Sequence, residues 1–247
     1  MKETALPINQ RQYLELQNLG LGAFAPLTGF MKKEEFASVV ETMRLPGGEV
    51  FPLPVVLDVN QHQARLAERA ERLILLFEDK RVGWMTPESV FTCPKAPAAD
   101  QVFGTTDTGH PGVAHFLSMN GWFIGGAVQL ERRHAFEFSD YELTPEETRA
   151  YFARQGWQTI VGFQTRNVPH RAHEYLLRLG LEFADGLFVQ PLVGRKKRGD
   201  YTPVAILTAY RTLIDEFLPR DRVLLGVLTT AMRYAGPREA LFHAIIR

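Results

Sequence analysis

VGFQTRNVPHRAH, residues 161–173, is the stretch that decides the fold of the second half of this chain. Its first residues continue an apolar run that begins at Trp157, and from Pro169 to Leu181 the apolar residues are spaced as in a helix. A strand that passes directly into a helix start is where an open α/β sheet binds its ligand. We therefore predict a strand over 157–163, a helix over 169–181 and a binding site at the turn between them.

Polar side chains are concentrated at this turn. They are Gln164, Thr165, Arg166, Asn167, His170, Arg171 and His173. The free N–H groups and the dipole of a helix N-terminus favour a phosphate, and the two arginines add donor forks that suit phosphate or sulfate oxygens. Packing alone does not explain so many donors within ten residues. The turn is thus a candidate anion site.

His170 and His173 are three residues apart and therefore share one face of the predicted helix. Two histidines at this spacing are compatible with metal binding, but no cysteine accompanies them and Glu174 points to a different face. A pair of solvated histidines at a helix start is a second alternative. We favour a third interpretation, in which the pair stabilises charge on a transferring phosphoryl group.

Strands and helices alternate around the turn. Thr144, Pro145 and Glu147 form a capping box that opens a helix ending near Gln155. Beyond the turn we predict strands over 186–191 and 222–228 and helices over 202–217 and 237–246. This alternation indicates a parallel sheet with crossover helices, which places residues 144–247 in the α/β class.

The first half of the chain has short apolar runs punctuated by proline and glycine. We predict strands over 51–59, 73–77, 82–85 and 122–130, the last with a bend at its glycine pair, and helices over 10–19 and 32–45. The pattern indicates a β-rich domain over residues 1–143.

The balance of charge limits the classes of partner. Lys+Arg and Asp+Glu number 28 each, so nothing in the net charge favours nucleic acid or a membrane surface. Cys93 is the only cysteine and permits neither an internal disulfide nor a zinc cluster, which fits a reducing compartment. No signal peptide is visible, and the run at 73–77 is too short to span a bilayer. We expect a cytoplasmic protein.

The order of motifs resembles one family. QTRN (164–167) followed by HRAH (170–173) is similar to the signature of ATP sulfurylases (sulfate adenylyltransferases), whose HxxH is related to the HxGH of nucleotidylyltransferases. Further similar segments, in family order, are 26–31, 104–107, 110–113, 186–194, 197–200 and 231–240. The resemblance implies a PUA-like domain over 1–143, then a Rossmann-like nucleotidylyltransferase domain with a parallel sheet over 144–247.

The same resemblance implies a reaction and its residues. Sulfate would attack the α-phosphate of Mg-ATP to give adenylyl sulfate and pyrophosphate, or the reverse, in sulfur assimilation or dissimilation. It implies sulfate binding by Gln164 and Arg166, and catalytic roles for Thr165, Arg166, Asn167, His170 and His173. It implies ATP contacts by Gln164, Thr165, Arg166, Asn167, His170, His173 and Arg233. Magnesium would enter only as Mg-ATP, with no metal ligand in the protein, and the family tends to self-associate.

Three other segments carry alternatives. Arg233 lies in a Gly-Pro turn that is equally typical of a plain surface turn. The basic run 195–198 is typical of a solvated loop, although with residues 199–200 it resembles a rim of the family site. Residues 104–110 are either ligand-binding or a polar turn capped by Asp107.

The sequence departs from the family pattern in two places. Family members read Arg-Asn-Pro-x-His where this chain has Val168-Pro169 before His170, which moves the conformational restriction imposed by proline from Asn167 to Val168. The family's Gly-Arg-Asp-His-Ala-Gly segment is missing. We therefore expect a catalytic domain that is incomplete at its C-terminus and a chain that is inactive alone. The alternatives are a homologue that only binds anions or nucleotides and a nucleotidylyltransferase for an organic phosphate.

Overall fold

A computed structural model describes residues 2–193, 199 and 201–247 of the chain. They fall into two units, one comprising Met1–His134 with Arg233–Arg247 and the other Ala135–Met232. The predicted boundary between residues 143 and 144 differs from this division, because the second unit starts earlier and the C-terminal segment clusters with the first. As a statement about evolutionary domains, the boundary stays a prediction.

The elements of the first unit are β1 (Glu3–Pro7), α1 (Gln10–Gly20), β2 (Gly29–Phe30), α2 (Lys33–Thr42), β3 (Leu57–Val59), α3 (Gln61–Ala67), β4 (Arg72–Phe77), β5 (Lys80–Met85), β6 (Ser89–Phe91), α4 (Lys95–Phe103), α5 (Pro111–Ser118) and β7 (Trp122–Leu130). The second unit contains α6 (Pro145–Gln155), β8 (Ile160–Thr165), α7 (Arg171–Phe183), β9 (Gly186–Val193), α8 (Pro203–Phe217), β10 (Val223–Leu225) and β11 (Leu228–Thr229). Helix α9 (Pro237–Ile246) belongs to the first unit.

Strand β7 organises the sheet of the first unit. It pairs antiparallel with β2, β3, β5 and β6, while β5 continues to β4 and β4 pairs parallel with β1. The glycine pair in β7 permits this crowding, because a Cβ on Gly125 would lie 2.3 Å from the Met31 carbonyl oxygen. Gly126 has a φ of 150°, and a Cβ there would lie 2.0 Å from the Thr86 carbonyl oxygen. The β-rich prediction is confirmed, and the pair serves close strand packing.

One strand prediction in the first unit is wrong in extent. Of the predicted strand over 51–59 only Leu57–Val59 is β-structure. Phe51, Leu53 and Val55 are buried, which produced the alternating apolar pattern, but the prolines between them have no N–H for a ladder. Helices α3, α4 and α5 were not predicted.

The sheet of the second unit is parallel throughout. Strand β9 pairs with β8 over residues 160–165 and with β10 and β11. Helices α7 and α8 connect β8 to β9 and β9 to β10, as the predicted crossover pattern requires. The predicted strand over 222–228 is divided into β10 and β11, and at the break Gly226 N–H donates to the Val189 carbonyl.

Helix α7 presents one apolar face to the core and another outward. Leu177 and Leu181 pack with residues of β9 and α8 in the core of the second unit. The exposed apolar residues of α7 are Tyr175 (67%), Leu176 (50%), Leu179 (41%) and Phe183 (79%). Across the described residues no helix is both long and apolar enough to cross a membrane.

Candidate functional site

The candidate site is the turn between β8 and α7. Strand β8 continues to Thr165, two residues beyond the predicted end, and α7 begins at Arg171, two residues after the predicted start. Gln164 and Thr165 are therefore strand residues, in register with Gln190 and Pro191 of β9. The turn lies at the carboxyl end of β8 and at a helix N-terminus, where an open α/β sheet binds ligands.

Thr165 fixes the start of the turn. Its Oγ1 accepts a hydrogen bond from the Asn167 N–H at 3.2 Å and lies 3.3 Å from the Asn167 carbonyl oxygen, to which the hydroxyl donates. Thr165 is buried, whereas Asn167 is exposed. The threonine therefore holds the backbone of Asn167 while the asparagine side chain faces solvent.

His170 and His173 cap the start of α7 reciprocally. His170 Nδ1 accepts from the Ala172 N–H at 3.3 Å, and His173 Nδ1 accepts from the His170 N–H at 3.2 Å. A ring nitrogen that accepts a hydrogen bond carries no proton, so these contacts assign the Nε2–H tautomer to both neutral rings. The capping box leaves each histidine with one N–H donor, on the side of the ring opposite the cap.

The two imidazoles are close neighbours. Their ring centroids lie 4.0 Å apart. The centroids of the Phe163 and His173 rings lie 5.8 Å apart, with an angle of 86° between the ring planes. Burial lowers the pKa of His173 below its usual value, and the neighbouring charge of His170 lowers that pKa further. His173 is therefore neutral near pH 7 and acts as a hydrogen-bond donor through Nε2.

The remaining polar residues of the turn differ in exposure. Gln164 and Arg171 are exposed and Arg166 is partly buried. The structure thus brings six predicted site residues, Gln164, Thr165, Arg166, Asn167, His170 and His173, into one strand–turn–helix element. Two arginines and a helix N-terminus give the turn local positive character in a chain of zero net charge.

Glu174 is engaged elsewhere on α7. Its Oε1 accepts from Arg178 Nε at 2.9 Å, one helical turn further on. In the part of the chain that the structure describes, no three His, Cys, Asp or Glu side chains cluster as a metal site would require.

Val168 gives the shifted proline a structural context. Its side chain is partly buried and packs against the core of the second unit, between the turn and α7. Val168-Pro169 therefore keeps the turn seated on the core while Arg166, His170 and His173 retain their spacing.

Arg233 lies in the first unit, in a buried ion pair. Its side chain is 6% exposed, and Nη2 contacts the two carboxylate oxygens of Glu15 at 2.7 and 2.8 Å. Its backbone N–H donates to Glu239, and its guanidinium lies over the Phe242 ring. The predicted ATP contact of Arg233 stays a prediction. No local sequence signal identified Glu15, which is 218 residues away.

The other segments singled out in the sequence have mixed outcomes. Within residues 104–110, Asp107 Oδ1 accepts from the Gly109 N–H at 2.8 Å, which is the geometry of the polar-turn alternative. His110 caps α5 through the Val113 N–H. The basic run 195–198 lies outside the described residues, as does Asp200, whereas Gly199 is described and exposed.

Comparisons with known proteins agree with the order of the motifs. Residues 1–133 match the family model described as a PUA-like domain, and residues 139–247 match the one described as ATP-sulfurylase. Relatives called sulfate adenylyltransferase include one from Pyrococcus abyssi, 41% identical over 240 residues, which are 97% of this chain and 62% of that protein. Another, from Symbiobacterium thermophilum, is 43% identical over 243 residues, 97% of this chain and 61% of that protein.

One solved structure adds a likeness in three dimensions. A structure described as a hexameric APS kinase from Thiobacillus denitrificans matches with a TM-score of 0.75 and 26% identity, covering 98% of this chain and 44% of that one. The chain spans about three fifths of the length of the curated relatives it matches. The two family models and these relatives identify a PUA-like domain over residues 1–133, followed over residues 139–247 by a segment of the ATP-sulfurylase family.

Proposed function

We propose that this chain is the part of a sulfate adenylyltransferase that binds sulfate and the phosphates of ATP. The observation that carries the proposal is the reciprocal cap of His170 and His173. It occupies both Nδ1 atoms and leaves the Nε2–H group of each ring as a donor. The relatives called sulfate adenylyltransferase support the choice of reaction.

The residue roles follow the family resemblance and fit the geometry of the turn. Gln164 and Arg166 hold sulfate, and Thr165 and Asn167 lie toward the ATP phosphates. His170 and His173 donate to the transition state, and Arg233 is proposed as a further ATP contact. Thr165 acts chiefly through the Asn167 backbone, because its hydroxyl is occupied there.

The proposed chemistry needs charge stabilisation more than proton transfer. A sulfate oxygen forms a bond to the α-phosphorus, and the bond from that phosphorus to the bridging oxygen of the β-phosphate breaks. Adenylyl sulfate and pyrophosphate result, and atoms and charge balance without a general base. Negative charge spreads over the equatorial oxygens of the phosphorus, where neutral N–H donors and a helix dipole stabilise it.

Magnesium is part of the substrate Mg-ATP in this proposal, and no protein side chain is assigned to it. We place the reaction in the cytoplasm, in agreement with the single cysteine. We also propose that the chain self-associates. The hexameric state named for the matched structure supports this, as do the four exposed apolar residues of α7.

The test is sulfate-dependent exchange of pyrophosphate into ATP by the complete gene product, because the chain alone is expected to be inactive. ATP affinity is measured by calorimetry on the same samples. His170→Asn and His173→Asn are informative variants, because asparagine keeps a capping acceptor near the Nδ1 position and removes the Nε2–H donor. Each is expected to lower the exchange rate by about 10²–10³, the effect of losing one oxyanion donor. His62→Asn, at an exposed position of α3, is the matched control.

Three outcomes separate the alternatives. Sulfate-dependent exchange that both variants abolish supports the enzyme. ATP binding without exchange leaves the anion- or nucleotide-binding module. Exchange that proceeds equally without sulfate contradicts sulfate as the nucleophile and points to another nucleotidylyl acceptor.

A further inference from the structure

Gln190 is a buried glutamine on strand β9, beside the candidate site. It is 7% exposed and is the one polar side chain among the eight residues of β9, whose sequence is GLFVQPLV. Burying an amide in an apolar strand is costly unless the amide has a polar partner. A glutamine at this position therefore indicates a role that an apolar side chain would not fill.

Gln190 is paired in register with Gln164, the last residue but one of β8. The two strands are parallel, and neighbouring strands lie about 4.8 Å apart, so the side chains of such a pair are direct neighbours on one face of the sheet. Gln164 is exposed, whereas Gln190 is buried. The pair thus connects the solvent-facing turn to the interior of the second unit.

The face that the two glutamines share is the one opposite helices α7 and α8. Val189 belongs to the core formed with both helices, and Phe163 packs against that core. Side chains alternate along a strand, so Gln164 and Gln190 point away from this core. Helix α6 covers the shared face next to them, because the ring centroid of Phe188 lies 5.8 Å from that of a phenylalanine of α6.

The chemistry of sulfate determines which way the Gln164 amide must face. Sulfate oxygens only accept hydrogen bonds, so Gln164 binds sulfate through its Nε2–H2 group and turns Oε1 away from the anion. A donor at Oε1 stabilises that orientation, and Gln190 carries an Nε2–H2 group on the neighbouring strand. The two bonds of one amide also polarise and strengthen each other.

We propose that Gln190 is a positioning residue of the site, whose amide donates to Gln164 Oε1 and so presents the Gln164 Nε2–H2 group to sulfate. The inference deepens the proposed function, on which its consequence for sulfate binding rests. The pairing of the two amides does not depend on any ligand. The family resemblance assigned no role to Gln190, although residues 186–194 are part of that resemblance.

Gln190→Met in the complete gene product tests this role, because methionine is a similarly long, unbranched side chain without the amide. The sulfate concentration that gives half-maximal exchange of pyrophosphate into ATP is expected to rise about three- to tenfold, the effect of losing one hydrogen bond. ATP affinity in calorimetry is expected to stay the same, since the change acts through the sulfate ligand Gln164. Gln17→Met is the matched control and should alter neither quantity, because Gln17 is a buried glutamine of the first unit.

A double variant tests whether Gln190 acts through Gln164. Gln164→Met is expected to weaken sulfate at least as much as Gln190→Met, and the two together no more than Gln164→Met alone. Fully additive losses would overturn the positioning role. An unchanged sulfate requirement in Gln190→Met, or an equal loss of sulfate and ATP affinity, would overturn it too.

NMR on the complete wild-type protein tests the pairing without any ligand or substitution. With the glutamine side chains labelled, we expect a nuclear Overhauser contact between the Nε2 protons of Gln190 and the side chain of Gln164. The absence of this contact would overturn the inference, even if Gln190→Met failed to fold. The contact in a protein that shows no sulfate-dependent exchange would leave the pairing standing and count against the proposed function.

Discussion

Arg233 Nη2 lies 2.7 and 2.8 Å from the two carboxylate oxygens of Glu15, and both side chains are buried. Glu239 accepts from the backbone N–H groups of Arg233 and Ala235, so a second carboxylate holds the same turn. Desolvating a guanidinium and a carboxylate is expensive, and each charge is tolerated because the other is present. The pair joins the C-terminal segment of the first unit to helix α1.

Breaking this pair is predicted to destabilise the first unit. Glu15→Gln removes the negative charge and leaves Arg233 buried without it, so the free energy of unfolding should fall by about 3–5 kcal/mol. The exposed pair of Lys32 and Glu88 is the control, and Glu88→Gln should cost about 1 kcal/mol or less. Urea unfolding measures both. Equal losses of unfolding free energy in the two variants would show that the buried Arg233–Glu15 pair does not hold the C-terminal segment to helix α1.

Gly112 gives a separate, steric test of how the backbone at Arg233 packs in the first unit. A Cβ at this position would lie 2.3 Å from the Arg233 carbonyl oxygen, which is backbone and cannot swing away. Gly112→Ala is therefore expected to lower the free energy of unfolding by about 1–3 kcal/mol. Gly121→Ala is the control, since a Cβ there meets nothing within 4 Å. A neutral Gly112→Ala would mean that α5 and the Arg233 turn separate easily.

His243 predicts how the stability of the first unit depends on pH. Burial, reinforced by Arg247 and Arg233, lowers the pKa of His243 to about 4, while the Glu239 carboxylate lies 3.7 Å from Nε2. The native state therefore keeps His243 neutral while the unfolded chain protonates it below about pH 6.5. The contribution of neutral His243 to the free energy of unfolding is fully present above that pH. It is lost as the pH falls toward 4, by at most about 3 kcal/mol.

The measurement is the free energy of unfolding in urea between pH 7.5 and pH 4.5. His243→Gln removes the titrating group and should flatten the profile, whatever it does to stability at pH 7.5. His62→Gln, at an exposed histidine, should leave the slope as it is. A slope that persists in His243→Gln would assign the acid sensitivity to other groups.

Elements with strong local signals were predictable from sequence. The capping box of Thr144 and Glu147 placed α6, and both of its hydrogen bonds are present. Helix α9 matches its predicted range, and α8 starts one residue after its prediction. The strand prediction failed for residues 51–56, because their alternating apolar pattern comes from tertiary burial and not from strand pairing.

The candidate site was predictable to the level of the turn, and its internal contacts were not. Sequence placed Gln164 to His173 on one strand–turn–helix because the apolar period changes there. It did not predict the two Nδ1 contacts, which depend on ring orientation. Nor did it predict that Glu15 pairs with Arg233, because that contact joins residues 218 positions apart. Pairings of this kind have no local periodicity.

The two histidines of the cap provide the last prediction. Burial is the larger cause of the lowered His173 pKa and His170 the smaller, so His170→Asn should raise that pKa while leaving it below the usual 6.5. Pyrophosphate at the turn should raise it in both proteins, because a nearby anion favours the imidazolium form. NMR titration of the His173 ring protons measures these shifts. A pKa indifferent to pyrophosphate would place the anion elsewhere, since two charges a few ångströms apart in a partly buried site cannot avoid influencing each other.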